Sequence, residues 1–89
     1  MEIKWTDSDP ATGGRRWVRA ERFAKAWQFT YRSQRRGVWE VGPPPTRAMW
    51  EHVLDVLERR YRLRHGVSDA DIMEVKRLLA KMPKSDEEE

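Results

Sequence analysis

The sequence predicts an α+β fold, in which a small antiparallel β-meander of three to four short strands is followed by two C-terminal helices packed on one face. Two observations predict the order of these elements. Aromatic and β-branched residues alternate with polar ones before residue 43, and amphipathic stretches of helical period follow residue 45. The proline run 43–45 lies between them and predicts a stiff, extended connector.

The first half of the chain carries the strand signals. The segment from Trp27 to Arg32 alternates large apolar and polar side chains at period two, which is typical of a half-buried strand. Residues 33–37 have the length and the glycine of a hairpin link. Residues 7–14 are rich in Gly, Pro, Asp and Ser and are predicted to form a mobile loop. The predicted strands are 16–23, 26–33 and 38–42, with a short candidate strand at 3–6.

Residues 16–25 admit a second interpretation. Apolar residues recur in and after this segment at spacings of three and four, as on one face of a helix: Trp17, Ala20, Ala24, Trp27 and Tyr31. The segment 20–26 also has good helix propensity. A strand is favoured because the neighbouring residues are rich in β-favouring types, but both structures stay open at this point.

Two helices are predicted, over about residues 46–65 and 69–82. Thr46 follows a proline and is a natural N-cap, and Gly66 is predicted to take the left-handed C′ position of the first helix. Ser68 and Asp71 have the spacing of a capping box that starts the second helix. The apolar stripes are formed by Trp50, Val53, Leu54, Leu57 and Tyr61 and by Ile72, Val75, Leu78, Leu79 and Met82.

Length and composition bound the class of protein. The 89 residues fit one domain, predicted to span residues 1–83 and to be followed by a disordered acidic tail over 84–89. The lack of cysteine excludes a disulfide scaffold and thiolate zinc sites. No apolar run approaches the roughly 20 residues of a membrane span, and residues 1–4 do not resemble the start of a signal peptide. We therefore expect a soluble, cytoplasmic protein.

Charge is unevenly distributed along the chain. The formal net charge is only +3, from 18 basic and 15 acidic side chains. In residues 15–36, however, Glu21 alone opposes the basic side chains of Arg15, Arg16, Arg19, Arg22, Lys25, Arg32, Arg35 and Arg36. Arginine makes forked contacts with phosphate and carboxylate, and stacks on flat rings, better than lysine does. This segment is the best candidate for binding an anionic partner.

The sequence does not support an enzyme. A zinc site needs three or four ligands, and neither cysteine nor further histidines cluster around His52 or His65. A catalytic triad would need a nucleophile near His52, and the serines lie in predicted turns or ends. Gly13-Gly14 lacks the spacing of a phosphate-binding loop. No catalytic residue, metal, cofactor, membrane contact or small-molecule substrate is predicted.

The turn between the helices resembles the helix–turn–helix of bacterial DNA-binding proteins, in Gly66-Val67-Ser68 and the apolar residues that follow. In that motif the first turn of the second helix faces the DNA. Here the second helix begins with Asp69, Asp71 and Glu74, which a polyanion would repel and a helix N-terminus favours. The helix pair is therefore interpreted as scaffold.

Nucleic-acid binding through the segment 15–36 is the first functional hypothesis. Arginines interleaved with aromatic residues on a sheet are suited to contact phosphates and to stack bases. The candidate residues are Arg15, Arg16, Arg19, Arg32, Arg35 and Arg36. Ordinary stabilisation is the alternative, with the aromatic residues as core and the arginines paired across strands with Glu21 or Glu40.

A protein-interaction module is the second functional hypothesis. Five tryptophans in so short a chain exceed what one small core is expected to bury, and tryptophan and arginine are enriched at interface hot spots. Trp5 and Trp39 are the candidate interface residues. The partner would be an acidic protein or a second copy of this chain.

Overall fold

The protein is described by a computed structural model that covers residues 1–24 and 26–82. The chain divides between Pro44 and Pro45 into an N-terminal unit and a C-terminal unit. The first is an antiparallel sheet and the second contains two helices, so the predicted order of a meander followed by two helices is confirmed. The packing of the helices on the sheet and the single domain over 1–83 stay predictions. The predicted tail 84–89 lies outside the described residues.

The N-terminal unit is a meander of four strands in the order β1-β2-β3-β4, each antiparallel to its neighbour. Its strands are β1 (Glu2–Ser8), β2 (Arg15–Phe23), β3 (Ala26–Arg32) and β4 (Glu40–Val41). The prediction of strands over 16–23 and 26–33 is confirmed, and the helical alternative there is wrong. Phe23, the last residue of β2, pairs with Ala26, the first of β3, and Ala24 adopts a positive φ of 53°.

Two predicted boundaries in this unit are corrected. The strand predicted over 38–42 is reduced to Glu40 and Val41, and Trp39, just before this strand, packs against the side chains of Arg19 and Arg32. The loop predicted over 7–14 is shorter, since β1 continues to Ser8. Two backbone hydrogen bonds close that loop, from Asp9 N–H to the Gly14 carbonyl (2.8 Å) and from Gly13 N–H to the Asp9 carbonyl (2.7 Å).

The strand register assigns every side chain to one of two faces. Val18 of β2 lies opposite Trp5 of β1 and Tyr31 of β3, and side chains alternate along each strand. The face that contains Val18, called here the core face, is formed by Ile3, Trp5, Asp7, Arg16, Val18, Ala20, Arg22, Trp27, Phe29, Tyr31 and Glu40. The opposite face, called here the arginine face, is formed by Glu2, Lys4, Thr6, Ser8, Arg15, Trp17, Arg19, Glu21, Phe23, Ala26, Gln28, Thr30, Arg32 and Val41. Burial follows this division, since Val18 and Ala20 are 0 % exposed.

The C-terminal unit consists of helices α1 (Arg47–Arg62) and α2 (Asp69–Lys81). Thr46 and Ser68 are their N-caps, as predicted, and the Ser68–Asp71 capping box is formed in both directions. Arg47 near the start of α1 donates hydrogen bonds to the Leu79 and Met82 carbonyls at the end of α2, which ties the ends of the helical hairpin together. The buried residues are Met49, Trp50, Val53, Leu57, Ile72, Val75 and Leu79.

The end of α1 differs from the prediction. The C-cap is Leu63, and the C′ residue is Arg64, which takes a left-handed φ of 59°. The Arg64 N–H bonds to the Tyr61 carbonyl and the His65 N–H to the Arg60 carbonyl, which together form a Schellman motif. Gly66 is also left-handed, at φ 79°, but it lies two residues beyond C′. The prediction that Gly66 occupies C′ and that the helix reaches residue 65 is therefore wrong.

Replacing Arg64 with glycine is expected to stabilise the protein. A left-handed backbone destabilises the folded state by about 1–2 kcal/mol for a non-glycine residue, and glycine removes this strain. Glycine also stabilises the unfolded chain through its larger conformational entropy, which offsets about 0.5–1 kcal/mol of the gain. The free energy of unfolding, measured by urea denaturation, should rise by about 0.5–1 kcal/mol in Arg64→Gly. Gly66→Ala is the matched control and should lower the free energy of unfolding, because Gly66 also has a positive φ. A Cβ at this position would meet open space, so the loss would come from the backbone conformation and not from a clash. A loss of stability in Arg64→Gly would contradict the strained C′ position.

Candidate nucleic-acid interface

The arginine face places basic side chains from three adjacent strands on one surface. Alternation along β2 puts Arg15 and Arg19 on the same side, and the register places Lys4 of β1 directly opposite Arg19. Arg32 joins them from β3, where it lies opposite Trp17. The carboxylates of this face are Glu2 and Glu21, so its basic residues outnumber its acidic ones by four to two.

A tryptophan from outside the strands covers part of this face. The guanidinium carbon of Arg32 lies 4.3 Å from the centre of the Trp39 ring, and that of Arg19 lies 4.8 Å from it. Arg19 Nε also donates a 3.2 Å hydrogen bond to Thr30 Oγ1 on the adjacent strand. We call these four residues the Trp39 cluster. Each cation–π contact contributes about 0.5–1 kcal/mol at a partly exposed site, so the cluster holds two guanidinium groups in defined positions.

Stacking is the main restraint on Arg32. Its Nε is buried and has no hydrogen-bond partner among the described residues. The side chain as a whole is half-buried, and Arg32 lines an open groove of about 270 Å³ together with Ser33, Gln34, Gly37, Val38 and Glu40. Arg32 therefore contacts Trp39 and also borders open space beside the segment that follows β3.

Glu2 partly neutralises the arginine face. Its two carboxylate oxygens lie 3.5 Å from Lys4 Nζ and 3.9 Å from Arg19 Nη1. The alternative of ordinary cross-strand pairing thus holds for Arg19, with Glu2 as the partner. These pairs are exposed or half-exposed, and such pairs typically contribute only about 0–1 kcal/mol. An anionic ligand can therefore replace Glu2 at little cost in protein stability.

Arg16 lies on the core face, and its guanidinium already has an ion-pair partner and an aromatic ring beside it. Its Nε and Nη2 donate to the two carboxylate oxygens of Asp7, at 2.9 and 2.8 Å. Its guanidinium carbon lies 4.7 Å from the centre of the Tyr31 ring, and only 10 % of the side chain is exposed. The hydrogen bond to Asp7 raises the pKa of Arg16, and burial raises the pKa of the Tyr31 hydroxyl, which donates to the Pro43 carbonyl. This geometry gives Arg16 a structural role.

The six arginines that the sequence singled out thus separate into three groups. Arg15, Arg19 and Arg32 share the arginine face, and Arg16 lies on the other side of the sheet. Arg35 and Arg36 are exposed in the segment that follows β3. The sequence analysis missed Lys4 and Glu2 as members of the same surface. Both lie on β1, and their positions opposite β2 follow only from the strand register.

The tryptophans are less exposed than the second functional hypothesis requires. Trp5 is half-buried on the core face and makes an edge-to-face contact with Phe29, with ring centres 6.4 Å apart. Trp39 is half-buried in the cluster described above. The most exposed large apolar side chains of the described residues are instead those of Phe23, Val38 and Val41.

The remaining sequence candidates do not assemble into a site. His52 is half-buried on α1, and His65 is exposed after that helix. Within residues 1–24 and 26–82, no group of three or more histidine, cysteine, aspartate or glutamate side chains is placed to hold a metal ion. The helices of this part of the chain include none with the length and apolar character needed to cross a membrane.

Comparison with known proteins assigns no family. The chain matches no protein-family model, no curated protein and no solved structure. The geometry and charge of the chain's own surfaces are therefore the basis for its function.

Loss of the Asp7 carboxylate is expected to destabilise the sheet. Asp7→Asn would leave the buried Arg16 guanidinium without its charged partner, at a cost of about 1–3 kcal/mol in the free energy of unfolding. The measurement is urea denaturation at neutral pH. Asp9→Asn is the matched control, since it makes the same charge change while keeping the side-chain oxygen that accepts from Ala11 N–H. Equal effects of the two substitutions would contradict a structural role for the Asp7–Arg16 pair.

Proposed function

We propose that this protein is a non-enzymatic nucleic-acid-binding domain that contacts the phosphate backbone through its arginine face and through Arg35 and Arg36. The observation that carries the proposal is the convergence of Lys4, Arg15 and Arg19 with the Trp39 cluster on one face of the sheet. Polynucleotides present a row of anionic phosphates next to flat aromatic bases. A surface of guanidinium groups and indole rings is complementary to both features.

The chemistry of this surface favours binding over catalysis. Its charged groups are arginine, lysine and glutamate, and neither histidine nor cysteine is among its residues. Arginine stays protonated at all physiological pH values and cannot act as an ordinary acid or base. Its value lies in forked hydrogen bonds to phosphate oxygens and in stacking.

A protein-interaction or homodimer module anchored by Trp5 or Trp39 has weaker support. Such an interface is usually anchored by an aromatic side chain that is exposed before binding. Trp5 packs on Phe29, and Trp39 packs on two guanidinium groups, so both candidate anchors already have partners within the chain. Polyanion binding requires only the exposed charges that the arginine face and its neighbouring loop present.

The first test reverses the charge of two exposed arginines. The protein should bind a fluorescent oligonucleotide at about 50 mM salt, and its affinity should fall steeply as salt is raised, because each phosphate contact releases a counterion. Arg35→Glu/Arg36→Glu should weaken binding at least about tenfold. Arg77→Glu/Lys81→Glu on α2 makes the same charge change at exposed positions and should have a much smaller effect. The absence of binding at low salt, or equal losses in the two double variants, would overturn the proposal.

A second test removes the carboxylate that competes with the ligand. Glu2→Gln should strengthen binding about two- to fivefold at low salt, because it frees Lys4 and Arg19 to contact phosphate. Glu51→Gln is the matched control, since that side chain is also exposed and also pairs with an arginine, Arg47 of α1. Fluorescence anisotropy titrations measure the oligonucleotide affinity of both variants. An unchanged affinity in Glu2→Gln would show that phosphates do not approach this part of the arginine face.

A further inference from the structure

We infer that the arginine face binds single-stranded rather than duplex nucleic acid, with unpaired bases stacking beside the Arg32 guanidinium. This inference rests on the function proposed above and names its ligand class. Three properties of the surface disfavour a duplex or favour exposed bases: the shape of the face, the restraint on Arg32 and the modest charge.

The arginine face is three strands wide. Basic residues come from three adjacent strands, β1, β2 and β3, and neighbouring strands are about 4.8 Å apart. The major groove of DNA is about 12 Å wide and admits a helix or a two-stranded ribbon. Three strands at this spacing span about 10 Å between the outer backbones, before the width of those strands and of the Trp39 ring is added, so the face is broader than the two-stranded ribbon that this groove admits. Unpaired bases of a single strand are open to such a face.

The Trp39 cluster supplies a fixed plane for stacking. Both guanidinium groups contact the same Trp39 ring, and Arg19 is held further by its hydrogen bond to Thr30. Trp17, directly across from Arg32 in the register, adds a second half-buried indole ring. Arg32 also lines an open groove of about 270 Å³, which gives space beside this side chain. Bases stack on arginine planes as well as on aromatic rings, at about 1–3 kcal/mol per base for aromatic partners.

The charge of the face is too small to favour a duplex on electrostatic grounds alone. Four basic residues against Glu2 and Glu21 leave an excess of two positive charges on the strands, and Arg35 and Arg36 raise the excess to four. Affinity for a duplex comes mainly from the number of phosphates neutralised, so such a face would bind it weakly at physiological salt. Stacking of one or two bases adds an energy comparable to that of several phosphate contacts, and only a single strand offers it.

The experiment compares ligands that differ only in their bases and pairing. Single-stranded DNA and RNA of about 15 nucleotides, the matching duplexes, and an abasic strand of equal length are titrated with the full chain at about 50 mM salt. At least one single strand should bind about tenfold or more tightly than its duplex and than the abasic strand. The stronger of the DNA and RNA arms identifies the natural class of strand.

Arg32→Lys separates stacking from charge. Lysine keeps the positive charge and lacks the planar guanidinium, so single-strand affinity should fall about five- to tenfold while duplex affinity changes less than about twofold. Arg77→Lys is the matched control, because it makes the same change at an exposed position of α2, outside the proposed binding surface. It should alter neither affinity by more than about twofold. Thermal melts followed by circular dichroism check that both variants are folded.

The outcomes separate the inference from the proposed function. Salt-dependent binding in which duplex, abasic strand and single strand are equal, or in which Arg32→Lys behaves like Arg77→Lys, overturns the single-strand inference and leaves phosphate binding standing. The absence of binding to every oligonucleotide at low salt overturns both. If Arg32→Lys unfolds, the comparison of abasic and normal strands with the unchanged protein still decides the question.

Discussion

The register of β2 is the constraint on which the rest of the N-terminal unit depends. This strand is paired along both edges, and its alternating side chains divide between the two faces of the sheet. A slip of one residue would bury Arg15 and Arg19 and expose Val18 and Ala20. The bidentate pair between Arg16 and Asp7, which face each other across β1 and β2, forms only in the observed register. A buried ion pair of this kind contributes more to specificity than to net stability.

The same register gives neighbouring arginines different chemistry. Arg16 is buried, ion-paired and stacked on Tyr31, whereas Arg15 and Arg19, one and three residues away, lie on the opposite face. Local charge density along the sequence therefore overstates the charge that a ligand meets. Part of the basic excess of residues 15–36 stabilises the sheet, and part remains at the surface.

The order of elements could be predicted from the sequence because it depends on local signals. Period-two alternation, three consecutive prolines and the Ser68 capping box each act over a few residues. The end of α1 could not be placed, because Arg64 accepts the left-handed C′ position that usually goes to glycine. The candidate surface was only partly predictable. The side on which Arg16 lies depends on pairing with β1, and the contact of Trp39 with Arg19 joins residues 20 positions apart through an irregular segment.

Under the proposed function, preorganisation accounts for how a weakly charged surface would bind nucleic acid. An arginine side chain loses about 2 kcal/mol of rotamer entropy when it is fixed, and on most surfaces that cost falls on the binding step. Here Trp39 and Thr30 restrain Arg19, and Trp39 restrains Arg32, within the folded protein itself. The loss of rotamer entropy therefore occurs when the protein folds and not when the ligand binds. Glu2 acts in the opposite direction, since a ligand must displace it from Lys4 and Arg19. The balance favours a ligand that uses the fixed planes of the cluster over one that uses charge alone.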